Sequence, residues 1–377
     1  MKKFILLLLV ANIVLPLFSQ SNKTVIPDLK GYVTLKCDLH MHTVFSDGKV
    51  WPTVRVDEAY REGLDAIAIT DHIEYVGHWN LKALEQLIDL PIRDISDILH
   101  NVSHDLALPL AKEKNIILIR GSEITREEMP PGHHNAIFLT NSNELANKPD
   151  YMDAFRAAKA QNAFIFWNHP GSPGLQPDTT RWWPEHTQLL EQGMMQGIEV
   201  VNGQSYYPEA HRWCLEKKLT MLGNTDIHPP MPIFAPGQHR AMTLVFAKER
   251  SEESIREALI DRRTAVYHNE YLIGEEKYLK ELFENALEMN VTKTGKIAQI
   301  TLRNKSDLTF RLKSMGHDPR IVYFRNTDIT PVIVAPQSIY TISVRLNEGV
   351  TGGDVNFSVE NFLVQPNKGM SYTIRIN

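Results

Sequence analysis

Cysteine is nearly missing from this 377-residue chain: only Cys37 and Cys214 occur, with no Cys-x-x-Cys spacing. Two isolated thiols exclude a disulfide framework, and their expected place is in the interior, as small apolar groups. A basic surplus is missing too. Against 40 Lys and Arg stand 45 Asp and Glu, a formal charge of -5, which argues against a dedicated nucleic-acid binder. Beyond residue 18 no apolar run is long enough to span a bilayer. Hydrophobic residues at 43% and charged residues at 23% exclude a disordered or fibrous chain. The length predicts about two domains.

What is present begins with a leader. Lys2 and Lys3 precede an almost wholly apolar run from Phe4 to Phe18, and a polar stretch follows from Ser19 to Lys23. This is the charged and apolar layout of a secretory signal peptide, too short for a spanning helix. Residues 1–20 are therefore set outside the fold. The mature chain is expected to be periplasmic or extracellular, with no stable membrane anchor.

From Gly31 to about Tyr267, short apolar runs alternate with amphipathic segments. The runs are Ala66–Thr70, Ile116–Ile119, Ala136–Leu139, Phe164–Trp167, Ile198–Val201 and Met242–Phe246. Helical patterns lie between them at Thr53–Glu62, Tyr151–Gln161 and Ser251–Asp261. Near-continuous apolar strands alternating with helices predict an α/β fold with a mostly parallel sheet over residues 25–270. A charged helical connector is expected over 271–289. From residue 290 to 377, seven short strand patterns separated by Asn, Asp, Gly, Ser and Pro predict a small β-sandwich.

Fifteen histidines are many for this length, and they gather at strand ends, where α/β folds concentrate chemistry. Asp38-Leu39-His40-Met41-His42 follows the strand pattern Tyr32–Cys37, and in extended chain His40 and His42 face one side. Ser46-Asp47-Gly48 places a carboxylate on the next turn. Thr70-Asp71-His72, Gly121-Ser122-Glu123, Gly132-His133-His134, Asn168-His169 and Asp226-Ile227-His228 repeat the theme. Six such clusters imply a polynuclear metal site. The clusters offer about nine ligands. They exceed the needs of one ion, so two or three divalent ions are expected. Imidazole and carboxylate without thiolate suit Zn, Mn or Fe.

These motifs in this order resemble the PHP (polymerase and histidinol phosphatase) family over about residues 31–268. The resemblance implies a distorted (β/α)7 TIM-like barrel and phosphoester hydrolysis by a metal-bridging hydroxide. It further implies that His40, His42, Glu123 and Asp226 hold one ion. Asp47, His72 and His228 would surround a second, and His133 and His169 a third, with Glu123 as the bridging carboxylate. Of the adjacent pair, His133 rather than His134 fits the family pattern, and Asp71 is expected to orient a ligand. The export signal and the C-terminal β-domain depart from the family's intracellular members. They turn the expectation from histidine biosynthesis and polymerase proofreading toward a secreted hydrolase.

A phosphate group needs cationic partners, and Arg suits it best. Arg126, Arg181 and Arg240 lie in loops after the Glu123, His169 and Asp226 motifs, and His78 lies in the loop after His72. These four are the candidate substrate-binding residues, with Trp182 and Trp183 as a candidate stacking wall. Three arginines favour a small-molecule phosphodiester over a monoester, whose extra charge calls for a fuller cage. The alternatives are a phosphomonoesterase, of histidinol-phosphatase or nucleotide-phosphatase type, and a catalytically silent binding module. Oligomeric state is left open.

Overall fold

The structure is a computed structural model describing residues 24–74, 99–125, 129–146, 148, 150–235, 237–315, 318–323 and 330–377. The leader, His78 and Arg126 lie outside the described residues.

The first strands are β1 (Val33–Asp38), β2 (Ala66–Ile69), β3 (Ile117–Ile124), β4 (His134–Ile137), β5 (Phe164–Trp167), β6 (Gly197–Asn202), β7 (Ser205–Tyr206) and β8 (Thr220–Asn224). β1, β2 and β3 pair in parallel, and so do β5, β6 and β8. β4 runs antiparallel to both neighbours, which is the distortion in the barrel. Beyond β8, a parallel bridge joins Met41 to Ile227 and the Asp226 amide donates to the His40 carbonyl, so the last strand closes on the first. Strands such as Ala66–Ile69 and Phe164–Trp167 are buried at every position, as their unbroken apolar character requires.

The outer helices are α1 (Pro52–Arg61), α2 (Val102–Glu113), α3 (Tyr151–Ala160), α4 (Pro184–Glu191), α5 (Pro208–Lys217) and α6 (Glu252–Ile260). Three of them start on proline, which sacrifices no helical hydrogen bond there and presets φ. Asp150 and Ser251 cap α3 and α6 through their side chains. A β-meander follows: β9 (Met242–Ala247) lies antiparallel to β1, then come β10 (Thr264–His268) and β11 (Tyr271–Gly274).

The 271–289 segment is only partly helical. Tyr271–Gly274 is strand β11, α7 spans Glu276–Ala286, and Leu287 opens β12 (Leu287–Thr294). The apolar stripe Leu279, Leu282, Phe283 and Ala286 runs straight on into Leu287, so its helical period hides the change to strand. The C-terminal region is a two-sheet sandwich. One sheet has the order β12, β13 (Ile297–Asn304), β17 (Ile339–Leu346), β15 (Ile321–Tyr323). The other contains β16 (Val332–Val334), β14 (Phe310–Ser314), β18 (Gly353–Gln365) and β19 (Lys368–Ile376). Inward residues alternate along each strand, as in Ala298, Ile300 and Leu302. β18 also pairs in parallel with β11, so sandwich and barrel share one continuous sheet. Their cores merge around Phe283, Phe310 and Phe362, with ring centroids 5.2 to 6.0 Å apart. No helix of the described residues is long and apolar enough to cross a membrane.

Candidate metal centre

All nine expected ligands come together at one end of the barrel, in three adjoining groups. Strand β1 extends into Leu39–His42, and His40 and His42 share its inner side with no exposed surface. Glu123 ends β3 and bridges to His72 beyond β2. His133 leads into β4 and His169 follows β5. Asp226 and His228 follow β8. His169 and Asp226 adopt positive φ, 29° and 53°, a strained backbone of the kind that clusters at functional sites. The 43–48 loop folds back over His42 because residue 48 is glycine. A Cβ there would sit 2.5 Å from the His42 carbonyl carbon and the Thr43 nitrogen.

The central group is His40, His42, Glu123 and Asp226. His40 Nε2 lies 3.2 Å from both Glu123 Oε2 and Asp226 Oδ1, and His42 Nε2 lies 3.2 and 3.0 Å from the same oxygens. The open group is His42, Asp47, His72 and His228, with His228 Nε2 3.0 Å from Asp47 Oδ2. The third is Glu123, His133 and His169. His133 Nδ1 is 2.9 Å and His169 Nε2 3.7 Å from Glu123 Oε1. Glu123 thus faces two groups with its two oxygens. His42 faces two groups with its two nitrogens, but a neutral imidazole has one lone pair and serves one group at a time.

These residues fit divalent cations. His40 Nδ1 lies 2.9 Å from Glu199 Oε1, an acceptor, so that nitrogen carries the proton and Nε2 offers a lone pair. Lone pairs of imidazole and carboxylate then converge at about 3 Å, which is repulsive unless positive charge sits between them. Buried His169 Nδ1 and Asp226 Oδ1 meet no hydrogen-bonding partner. Neither cysteine joins the centre: both are buried and free, each within an apolar cluster.

His134 is the partner that turns away. It packs among Phe155, Trp167 and His186, on the opposite side of the strand from His133.

Outside the ligands sit buried carboxylates. Asp71 accepts hydrogen bonds from the Thr43 amide, Thr43 Oγ1 and Ser46 Oγ at 2.7, 2.7 and 2.8 Å, so it holds the loop that carries Asp47. Glu199 was not among the sequence candidates. Its only signal was a carboxylate inside the apolar strand Ile198–Val201. Arg55 was also missed: it is buried in α1 and donates to the carbonyls of His42, Ile227, His228 and Pro229, pinning two ligand loops together.

The substrate candidates fare differently. Arg240 does not reach the centre. It is buried, with Nη1 3.0 Å from Asp38 Oδ2 and Nε 2.8 Å from Glu62 Oε2, so its charge is spent on structural carboxylates. Arg181 is exposed, with its guanidinium 6.0 Å from the Trp183 ring. Trp182 packs on Trp167 and Trp213 rather than standing as an open wall.

The electrostatics predict opposite pH responses with and without metal. Burial opposes charge on His40, but Asp226, Glu199 and Glu123 outweigh it and raise its pKa well above the usual value. Burial also lowers His42, while Asp226 and Glu123 raise it from 6.5 to about 9. Burial pushes Glu123 and Asp226 up, yet the surrounding histidines hold both below the ordinary carboxylate range. In protein stripped by chelation, the stability from His42 is fully present below pH 6.5 and lost as pH rises through about 9. The shift corresponds to roughly 3 kcal/mol. The depressed carboxylates act on the acid side, where their contribution is lost as pH falls. Ions displace these ring protons, so metal binding strengthens with rising pH. Between pH 6.5 and 9 the melting temperature of stripped protein is expected to fall while that of zinc-loaded protein holds or rises. Parallel curves would refute this.

Comparison with known proteins follows the same lines. A family model described as PHP domain matches residues 38–315, and one described as an Ig-like domain matches residues 284–375. A solved structure from Bacteroides vulgatus ATCC 8482 is 52% identical, with a TM-score of 0.86, covering 95% of this chain and 99% of its own. It is a two-domain protein containing a predicted PHP-like metal-dependent phosphoesterase. A structure from Bifidobacterium adolescentis ATCC 15703 is 17% identical over 60% of this chain and 96% of its own, with a TM-score of 0.40. No curated protein matches.

Proposed function

We propose, for a chain that belongs to the PHP family, that it is an exported metal-dependent phosphoesterase acting on small-molecule phosphodiesters. The observation that carries this reading is the set of three contiguous ligand groups, of which one opens outward. His40, His42 and Glu123 are buried, whereas Asp47 and His228 keep 39% and 32% of their side-chain surface exposed. His40, His42, Glu123 and Asp226 would hold an inner ion. Asp47, His72 and His228 would hold one at the mouth, and Glu123, His133 and His169 a third. Bound there, divalent ions supply water activation and neutralise charge on a phosphoryl group.

The chain's own residues do the positioning. Glu123 spans two groups and is held by Asn168, whose Nδ2 donates to Oε1 at 2.9 Å. Asp71 and Arg55 fix the two loops that frame the mouth. The shortage of cations favours a diester. Arg240 and Arg55 are committed to internal partners, which leaves Arg181 as the exposed one of the described arginines considered. A diester brings one negative charge to the ions, a monoester up to two. Export rests on the Lys2-Lys3 and Phe4–Phe18 pattern of the sequence.

The test is hydrolysis of bis(p-nitrophenyl) phosphate beside p-nitrophenyl phosphate, by mature protein of counted metal content. Faster diester cleavage is expected. Faster monoester cleavage would reassign the protein as a phosphatase, and turnover of neither by metal-loaded protein would overturn the reading.

A further inference from the structure

Glu199 lies on β6, between β5 and β8, the strands that lead to His169 and Asp226, and has no exposed surface. Its carboxylate accepts four hydrogen bonds. Oε1 takes His40 Nδ1 at 2.9 Å and Asn224 Nδ2 at 3.0 Å. Oε2 takes the His169 backbone amide and Asn202 Nδ2, both at 2.8 Å. The partners belong to four different segments: the β1 extension, the turn after β5, the end of β6 and the end of β8. Asn224 passes the link on, because its Oδ1 accepts the Leu39 amide at 2.9 Å. Asn202 Nδ2 also reaches toward Asp226 Oδ2 at 3.4 Å.

We infer that Glu199 is a positioning residue of the metal centre, fixing the ring of His40 and the backbone of His169 so that the central and third groups form together. The inference rests on the reading of the three groups as metal sites. Two properties make a carboxylate the suitable group here. It is an acceptor at both oxygens, and all four partners are donors. Because it accepts from Nδ1, it holds the His40 proton on that nitrogen and keeps the Nε2 lone pair facing Glu123 and Asp226. Partners of this kind fix the tautomer and orientation of a ligating histidine and raise its basicity. Among the described residues the bonds of Glu199 go to His40, His169, Asn202 and Asn224, whereas the loops of His42, Asp47, His72 and His228 are held by Asp71 and Arg55. The inference therefore separates the groups: the central and third depend on Glu199, and the open one does not.

Glu199→Gln keeps the size but turns one acceptor into a donor. In either amide orientation an NH2 meets two donors, and in one of them it faces His40 Nδ1 and drives the ring proton to Nε2. The experiment uses the full mature chain with zinc as probe. Zinc affinity is titrated against a chromophoric chelator, and the His40 Nδ1–H resonance is followed by proton–nitrogen NMR at saturating zinc. The variant is expected to bind the inner zinc 10- to 100-fold more weakly, to keep the affinity of the open group, and to lose the His40 resonance. A purely structural role for Glu199 would lower the melting temperature without moving that resonance. Wild-type affinities with the resonance retained would overturn the inference. Should the Gln variant fail to fold, Glu199→Asp decides. It keeps the charge one methylene short of its partners, and unchanged inner zinc binding would overturn the inference equally. A wild-type chain that binds no zinc overturns the metal reading together with this one. Zinc bound without phosphoester turnover overturns only the proposed activity.

Discussion

Glu123→Ala is expected to lower phosphoester hydrolysis at least about a thousandfold, a rise of about 4 kcal/mol in the barrier, and to cost the protein the metal of two groups out of three. The reason is its place. Oε2 lies 3.2 Å from both His40 Nε2 and His42 Nε2, and Oε1 lies 2.9 Å from His133 Nδ1. A single truncation therefore strips a ligand from the central and third groups at once. The open group of His42, Asp47, His72 and His228 contains no atom of Glu123 and is expected to keep its ion. Counting zinc per chain before and after the substitution, on the same samples used for kinetics, separates the two effects. Full metal content with a tenth or more of the wild-type rate would remove Glu123 from its bridging role. The substitution also unbalances the stripped protein. His40, His42 and His72 would face one carboxylate fewer, so the melting temperature of chelated protein is expected to drop as well.

The metal centre was legible in the sequence because its chemistry is local. His40 and His42 are two residues apart on extended chain, and each later motif sits where an apolar run stops. Strand ends converge in an α/β barrel whatever the intervening loops do, so residue type and strand-end position were enough to find the clusters, and the family resemblance narrowed them to the nine. Strand alternation lets only one of His133 and His134 face the ions, the family resemblance pointed to His133, and the packing of His134 against Trp167 is the other half of that alternation. Residues acting through others were not legible. Glu199 and Arg55 sit inside apolar or helical patterns, and their partners lie far off along the chain. His40 is 159 residues before Glu199, and the Ile227 carbonyl is 172 residues after Arg55. The β-sandwich was visible as alternating short strands. Its junction with the barrel was not, since β11 is four residues long and takes its stability from pairing with β10 and β18, contacts that no local pattern announces.

Arg240 shows why loop position alone misleads, and it carries the largest expected effect on stability. It follows the Asp226 and His228 loop, as a substrate-binding arginine would, yet its side chain is 1% exposed and its guanidinium is held between two carboxylates. Nε and Nη2 meet the two oxygens of Glu62 at 2.8 and 3.0 Å, and Nη1 meets Asp38 at 3.0 Å. Asp38 has no exposed surface. Burial raises its pKa, and Arg240 and Thr225 act against that rise. Arg240→Met keeps the side-chain volume but leaves Asp38 charged and unpaired in the interior, a defect that costs about 3–5 kcal/mol. A melting temperature lower by roughly 10 °C is expected, with the phosphoester KM of the surviving folded protein close to wild type. The Thr225 hydroxyl, which bonds Asp38 at 2.6 Å, precedes Asp226 directly, so some loosening of the central metal group should accompany the loss. Neutralising all three together, with Arg240→Met, Asp38→Asn and Glu62→Gln, should recover most of the stability, since the cost lies in the stranded charge and not in the missing pair. A variant that melts like the wild type and instead shows a raised KM would return Arg240 to the substrate.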